Sequence, residues 1–317
     1  MWSGLVLGLA GLTAGRLAWI WWPADAFNHF VPHFAVVATA SLLGLLLPRR
    51  KLLAAGLALV LGLGVIPAAP FAVKLVEKWS PPTAKDSRVI RVMSFNTWVQ
   101  NSDWRAILRE IERNDPDIVT LVEYRLEKNS LHESLADRYP YQADCMEQRH
   151  CFMALFSKFP FQDPAASTHW RSPPQILAHF GPELGGLVVV GMHTLRPPDI
   201  GPQRTQIEKL ASQASEMGGS RIFMGDFNAT PFSRMLQTFT EKSGLRRITW
   251  LPSWPANFGP FPQVAIDHIF LSDDLEAVGW PRIGNNAGSD HYPVIADVRL
   301  AVTPPGRTSV GAVEAPR

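Results

Sequence analysis

The sequence predicts an α/β domain behind a membrane-embedded amino-terminal region. Three observations carry this. Three long apolar stretches crowd the first 73 of the 317 residues. After them, short apolar runs alternate with segments of helical period, the pattern of stacked sheet and helix layers. Six of those runs also end in a carboxylate, an amide or an imidazole, groups that a core does not hold cheaply.

The apolar stretches are residues 2–22, 30–47 and 52–73. Each approaches the roughly 17–25 residues that cross a bilayer as a helix. A cleaved signal peptide explains only the first, and the basic leader it normally brings is missing. Three spans over a transmembrane region 1–73 are therefore expected. Gly4 and Gly8, like Gly11 and Gly15, are small residues four apart, a spacing that permits close helix contact. Trp19, Trp21 and Trp22 suit an interfacial belt, with Arg16 reaching toward the same end. The short loop "PRRK" at 48–51 favours the cytoplasmic side. This places the amino terminus inside and everything after residue 73 outside, although Lys74, Lys78, Lys85 and Arg88 argue the other way.

Charge separates the two parts. Of 30 basic and 28 acidic residues, eight and three precede position 89, which leaves 22 basic against 25 acidic in the remainder. That part has no basic surplus of the kind that holds long polyanions nonspecifically. Cys145 and Cys151 suit an oxidising compartment and could pair across their short loop, or stand as two buried thiols.

A Pro-rich linker, 74–88, leads into a domain at 89–301, and a tail at 302–317 is too poor in apolar residues to fold. Apolar runs predict strands in "RVIRVMSFNTW", "IVTLVEYR", "CFMALFSK", "LGGLVVVGMHT", "RIFMGDFN", "AIDHIFLS" and "YPVIADVRL". Helical spacing of Trp104, Ile107, Leu108 and Ile111 predicts a helix that Asp103 can cap. Further helices are expected in "NSLHESLADRYP", in "PQRTQIEKLASQASEMG" and after Pro231.

The strand ends carry the chemistry. Asn96 follows "RVMSF", Glu123 follows "IVTLV", His193 follows "LVVVGM", and Asp226 with Asn228 follows "RIFMG". Asp267 and His268 lie in "VAIDHIF", Asp290 and His291 in "GSDHYPV". Ligand sites form at strand ends in α/β layers. Carboxylates and amides suit a hard divalent cation, magnesium or manganese. No zinc-ligand spacing and no phosphate-binding Gly-Lys-Ser/Thr loop is present.

These motifs, in this order over residues 89–300, resemble the endonuclease/exonuclease/phosphatase (DNase I-like) superfamily. The preceding apolar region resembles its bacterial membrane-anchored branch. The resemblance implies a four-layered α/β sandwich of two mainly antiparallel sheets with helices outside. It implies a metal-dependent phosphoester hydrolase in a bacterial inner membrane, and the loop charges at 48–51 put its catalytic domain on the periplasmic side. Carried over residue by residue, Glu123, Asn96 and Asp290 would serve the metal, Mg2+ or Mn2+. Asp226 would orient or deprotonate water, and Asn228 would hold the phosphate. His291, partnered by Asp267, would act at the scissile phosphate, with His193 near the leaving oxygen. Gln203 or Arg204 would add phosphate contacts. The family's mid-domain tyrosine or glutamate has no secure counterpart among Glu147, Arg149 and His150. A phosphodiesterase of nuclease type is the leading expectation, acting on nucleic acid. The alternatives are a phospholipid or sphingomyelin phosphodiesterase, a phosphatase of soluble esters, and a noncatalytic membrane-anchored binding module. The aromatic, Pro-rich stretch 248–262 could stack bases, lie on lipid or lid the sheet.

Overall fold

A computed structural model describes residues 1–65, 87–125, 129–145, 151–169, 172–258 and 263–301. The expected linker up to residue 86, the end of the third apolar stretch, the tail, and Glu147, Arg149 and His150 lie outside the described residues, and the linker's last two residues, Ser87 and Arg88, open the first strand.

The amino-terminal part is helical. Helix α1 spans Trp2–Arg16, α2 Asp25–Asn28, α3 Val31–Leu46 and α4 Arg50–Val60, the last running on into a π-helical turn, Leu61–Val65. The spaced glycines are where α1 meets its neighbours. A Cβ on Gly8 would stand 2.7 Å from that of Ala38, and one on Gly11 would enter the Phe34 ring. The helix lengths differ from the expected spans. The stretch 2–22 is α-helical only to Arg16, tightens to a 3-10 turn at Leu17–Trp19 and is extended at Trp21, ahead of Pro23. Arg16 does not reach outward: its Nε donates to Leu63 O at 2.9 Å, tying α1 to the end of the third helical segment. Among the described residues no single helix is long and apolar enough to cross a membrane. A pair bent by 60°, Trp22–Asn28 with Val31–Leu46, meets that test by length and composition.

Among the described residues the rest is built on twelve strands. These are β1 Ser87–Asn96, β2 Ile118–Val122, β3 Tyr141–Asp144, β4 Met153–Ser157, β5 Phe161–His169 and β6 Ser172–Phe180, then β7 Val188–His193, β8 Arg221–Asp226, β9 Arg246–Arg247, β10 Asp267–Leu271, β11 Glu276–Ile283 and β12 Val294–Ala301. They form two six-stranded mixed sheets, ordered β11-β12-β1-β2-β4-β3 and β5-β6-β7-β8-β10-β9. Each has one parallel pair, β1 with β2 and β7 with β8, and its other described pairs are antiparallel. Four helices accompany them: α5 Trp104–Asn114, α6 Asn129–Leu135, α7 Ile200–Glu216 and α8 Arg234–Ser243. Asp103 caps α5 as its sequence suggests, accepting from Ala106 N at 3.0 Å.

Strand alternation sorts the side chains into layers. Ile90 and Val92 of β1, Ile222 and Met224 of β8, and Ile269 and Leu271 of β10 point between the sheets and form one core. The opposite faces pack outward: Met93 and Phe95 against Ile107 and Ile111 of α5, and Phe223 and Phe270 against Ile207, Leu210 and Phe239 of α7 and α8. The result is helix, sheet, sheet, helix. Gly191 lets the sheets approach, since a Cβ there would stand 2.6 Å from Thr120 Cγ2. Phe227, at the end of β8, is fully buried with ring centroids 5.0 Å from Phe270 and 5.1 Å from Phe239.

Five strands, β3, β5, β6, β9 and β11, are absent from the sequence expectation. β5 carries Pro164, and β11 carries Gly279 and Pro281 with a register shift between Val278 and Arg282. Proline is tolerated at sheet edges, where both strands lie, and it erases the apolar signature of a strand.

Candidate active site

The inward face of the sheets leads directly to the polar cluster. Continuing the Ile90, Val92 parity along β1 brings Asn96 to that face. Ile222 and Met224 bring Asp226, Ile269 and Leu271 bring Asp267, and Val189 brings His193. At one end of the inter-sheet core, four neighbouring strands therefore replace apolar side chains with polar ones. Glu123 follows β2 on the opposite parity and arrives by another device. Its φ of +54° breaks the extended backbone. Trp98 and Asn228, at φ +56° and +47°, make three non-glycine residues in the left-handed region around one cluster. Such conformations persist only where surrounding contacts over-determine them.

Asn96 is the hub. Its Nδ2 donates to Asp226 Oδ2 at 3.1 Å and to Glu123 Oε1 at 3.3 Å, while its Oδ1 accepts from Trp98 N at 3.0 Å. Glu123 Oε2 accepts from Val99 N at 2.9 Å. Asp226 Oδ1 accepts from Asn228 N at 2.8 Å, and its Oδ2 stands 3.8 Å from His193 Nε2 and 3.9 Å from His291 Nε2. His291 Nδ1 donates to Asp267 Oδ2 at 2.8 Å. Ser289 holds this loop to β1, donating to Asn96 O at 2.7 Å and accepting from His291 N at 3.0 Å. Asn228 Nδ2 donates to Thr194 O at 2.9 Å. Asp290 Oδ2 accepts from Trp254 Nε1 at 3.1 Å, and its Oδ1 is buried with no hydrogen-bond partner among the described residues.

Burial and charge set the protonation. Burial, reinforced by Asp267, pushes the Asp226 carboxyl up to about 6 against the opposing pull of His291 and His193. Burial opposes charging of His291, yet Asp267, Asp226 and Asp290 together carry it up to about 9. Burial also works against ionised Glu123, but His193, the Val99 N–H, Asn96 and His291 outweigh it and hold its carboxyl below the ordinary value. The site thus keeps an imidazolium beside a carboxylate at neutral pH.

Six of the ten expected residues, Glu123, His193, Asp226, Asn228, Asp290 and His291, line one pocket of about 670 Å3. Asn96 and Asp267 join the cluster from behind, through their hydrogen bonds to Glu123, Asp226 and His291. Gln203 and Arg204 do not. Gln203 is fully buried, its Nε2 donating to Phe227 O at 3.2 Å and Asn228 O at 2.9 Å, so it braces the loop from behind. Arg204 turns to the Trp22 ring, 4.6 Å away, and to Glu208 at 3.6 Å. Helix periodicity puts both on α7, behind the sheet. The pocket's guanidinium groups are instead Arg125 and Arg196, which sequence reasoning passed over although each closes a motif already singled out, "IVTLVEYR" and "GMHT" with its next residues. Two residues of the 248–262 stretch also belong here. Trp254 lines the pocket, and Ser253 Oγ accepts from Asp267 N at 3.2 Å.

Two oxygen-rich groupings could hold a cation. Ligand atoms of Asp226, Asp267 and His291 lie within 4.8 Å of one another. There, however, the Asp267–His291 hydrogen bond already places a proton between two of the three. Glu123, Asn96 and Asp290 offer the harder donor set, and Asp290 Oδ1 accepts no hydrogen bond among the described residues, with His291 Nε2 4.0 Å away. Cys145 and Cys151 are disulfide-bonded, and Cys151 lines the pocket.

Comparison with known proteins agrees with this architecture. A sequence search of curated proteins returned no match. Among solved structures, an endonuclease/exonuclease/phosphatase from Bacteroides vulgatus aligns with TM-score 0.55 and 17% identity over 68% of this chain and 100% of its own. One from Beutenbergia cavernae aligns with TM-score 0.54 and 19% identity over 68% and 72%. Humanized TDP2 of D. rerio gives 0.54 and 13% over 66% and 98%. At these identities the likeness is one of fold. The model of the Endonuclease/Exonuclease/phosphatase family matches residues 93–291, from the strand carrying Asn96 to His291 itself. The chain belongs to the Endonuclease/Exonuclease/phosphatase family, and it is a hydrolase of phosphoric esters.

Proposed function

We propose that the protein is a divalent-cation-dependent phosphodiester hydrolase, held at a membrane by its amino-terminal helices with the catalytic domain on the extracytoplasmic side. The observation that carries the catalytic part is the convergence of Asn96, His193, Asp226 and Asp267 on one end of the inter-sheet core, with His291 hydrogen-bonded to Asp267.

Glu123, Asn96 and Asp290 would hold the cation, which supplies electrophilic pull on phosphoryl oxygens. The buried Oδ1 of Asp290 fits that role, because it accepts no hydrogen bond among the described residues and its nearest opposite charge, His291 Nε2, stands 4.0 Å away. The chain's own groups divide the remaining work. Asp226, fixed by Asn96 and by the Asn228 N–H, accepts the proton of the attacking water. Asn228 has a second Nδ2 hydrogen beyond the one given to Thr194, enough to donate to a phosphate oxygen without adding charge. The His291 imidazolium, oriented by Asp267, stabilises negative charge growing on the pentacovalent phosphate. His193, its Nε2 3.8 Å from Asp226 Oδ2, serves the leaving oxygen.

The test is turnover of bis(p-nitrophenyl) phosphate and p-nitrophenyl phosphate by the detergent-purified chain. It is run with magnesium or manganese, after chelation, and with His291→Ala and Asp226→Ala. Turnover of the diester that both variants match would refute the assigned site. For location, the disulfide supports an oxidising compartment, and the loop charges at 48–51 favour the orientation that puts the catalytic domain there. Protease added to intact spheroplasts should cleave the catalytic domain, and full protection would reverse the orientation.

A further inference from the structure

The hydrolase fold alone does not complete the walls of the catalytic pocket. Ala26, His29 and Phe30 line the same pocket as His193, Asp226 and His291, and they come from the turn between the first two apolar helices. That turn is fastened to the catalytic domain. The fully buried Asp25 accepts from Arg234 N at 2.8 Å and Met235 N at 3.3 Å, the opening turn of α8. The Arg234 guanidinium donates to Ala18 O at 2.7 Å and lies 3.7 Å from the Trp19 ring centroid. Thr230 N donates to His29 Nδ1 at 3.3 Å, two residues beyond the catalytic Asn228.

That last bond settles a tautomer. An Nδ1 that accepts leaves the proton on Nε2 of the neutral ring. His29 is 7% exposed, and its Nε2 has no hydrogen-bond partner among the described residues. An oxygen of a bound ester would supply one.

The surface around this wall has a definite character. Trp19, Ile20, Trp21, Phe27 and Phe30 are exposed in one short stretch, and Val6, Leu7, Val36, Leu43, Leu52 and Leu59 are exposed along the helices behind it. Helices whose outward side chains are aliphatic, ending in a tryptophan-rich collar, match a lipid environment with the collar at headgroup level. Phe30 belongs both to the collar and to the pocket. The pocket itself answers a single phosphate better than a long polyanion, since Glu123, Asp226 and Asp290 line it beside Arg125 and Arg196.

Resting on the hydrolase reading above, we infer that the amino-terminal segment is a wall of the active site and that the substrate is the headgroup phosphodiester of a membrane phospholipid. The headgroup enters past Phe30, and His29 Nε2 donates to one of its oxygens.

The test reconstitutes the full chain, with magnesium and manganese, in vesicles of phosphatidylcholine, phosphatidylethanolamine and phosphatidylglycerol. Released headgroup phosphate is compared with turnover of bis(p-nitrophenyl) phosphate and of a single-stranded DNA oligonucleotide. The expected result is cleavage of vesicle lipid that His291→Ala abolishes. His29→Asn keeps an acceptor for Thr230 N but loses the Nε2 donor. It and Phe30→Ala should each raise the KM for vesicle lipid, relative to that for the soluble diester, by about tenfold, the equivalent of one lost hydrogen bond or apolar contact. Trp280→Ala, at an exposed aromatic outside the pocket, should leave that ratio unchanged. Cleavage of the soluble diester or the oligonucleotide with vesicle lipid untouched overturns the lipid assignment and leaves the hydrolase reading standing. Cleavage of no diester at all overturns both. Lipid cleavage with the KM ratio unmoved in both wall variants overturns the role of the amino-terminal segment.

Discussion

His268 offers a quantitative test of how the fold holds its catalytic strand. It follows Asp267 on β10 and points to the opposite face, fully buried and near the Phe227 and Phe270 rings. Its bonds determine the ring's protonation. Ile269 N donates to Thr249 Oγ1 at 2.9 Å, the Thr249 hydroxyl donates to Nδ1 at 3.4 Å, and Nε2 donates to Ala229 O at 2.9 Å. Backbone groups of Ala229, Thr249 and Ala265 favour a second proton, but they are outweighed. Burial, with nearby Arg247, pushes the imidazole down to about 3 from its ordinary 6.5. A pKa lowered on folding means that the unfolded chain binds the extra proton first. The stabilisation is therefore complete above pH 6.5 and declines as pH falls toward 3. Relative to pH 7, the loss from this residue is about 2 kcal/mol at pH 5 and about 3 kcal/mol at pH 4. His268→Gln places an amide N–H near Nε2 without a titrating group. Urea unfolding of the full chain in non-ionic detergent with chelator, read by near-ultraviolet circular dichroism from pH 7 to 4, should show the wild-type stability falling more steeply than that of the variant by those amounts. Parallel curves would refute the reasoning.

Other outcomes follow from the same structure. Asp226→Asn should lower kcat by about 10²- to 10⁴-fold, the range for a lost general base, with an unchanged circular dichroism spectrum. Chelation should abolish diester turnover, and magnesium or manganese should restore it and raise the Tm, because a cation bound only by the folded chain stabilises it. Cys145→Ser, which opens a loop of sequence separation 6, should cost about 2 kcal/mol by loop entropy, measured by urea unfolding. Asp25→Ala removes the carboxylate that accepts from the first two N–H groups of α8 and should cost about 1–2 kcal/mol on the same measurement.

Much of the site was legible because period-2 alternation is local. Once "RIFMGD" reads as a strand, Asp226 must share a face with Ile222 and Met224, and the same logic places Asn96 and His193. Alternation does not say what lies opposite, so Gln203 and Arg204 were expected at phosphate when α7 holds them behind the sheet. Arg125 and Arg196 gave no signal of their own, since a surface arginine at a strand end is ordinary until a pocket forms around it. The wall made by Ala26, His29 and Phe30 was illegible for a stronger reason. It joins residues about two hundred positions apart, and nothing in an apolar stretch announces which surface it will cover.

The chain contains the dipeptide Asp-His twice, at Asp267-His268 and Asp290-His291. By itself the sequence determined that both lie at strand ends and that their carboxylates belong with the polar cluster. The family resemblance singled out His291, and only the tertiary structure supplies the physical difference between the two rings. Strand pairing of β10 with β8 turns His268 into the outer core, where burial drives its imidazole down to about 3. The loop before β12 turns His291 onto Asp267, where three carboxylates overcome burial and carry it to about 9. The same residue type after the same neighbour becomes a core ring in one place and an imidazolium in the other. A side chain's charge is set by the groups that other strands bring against it, and a linear sequence does not state which those are.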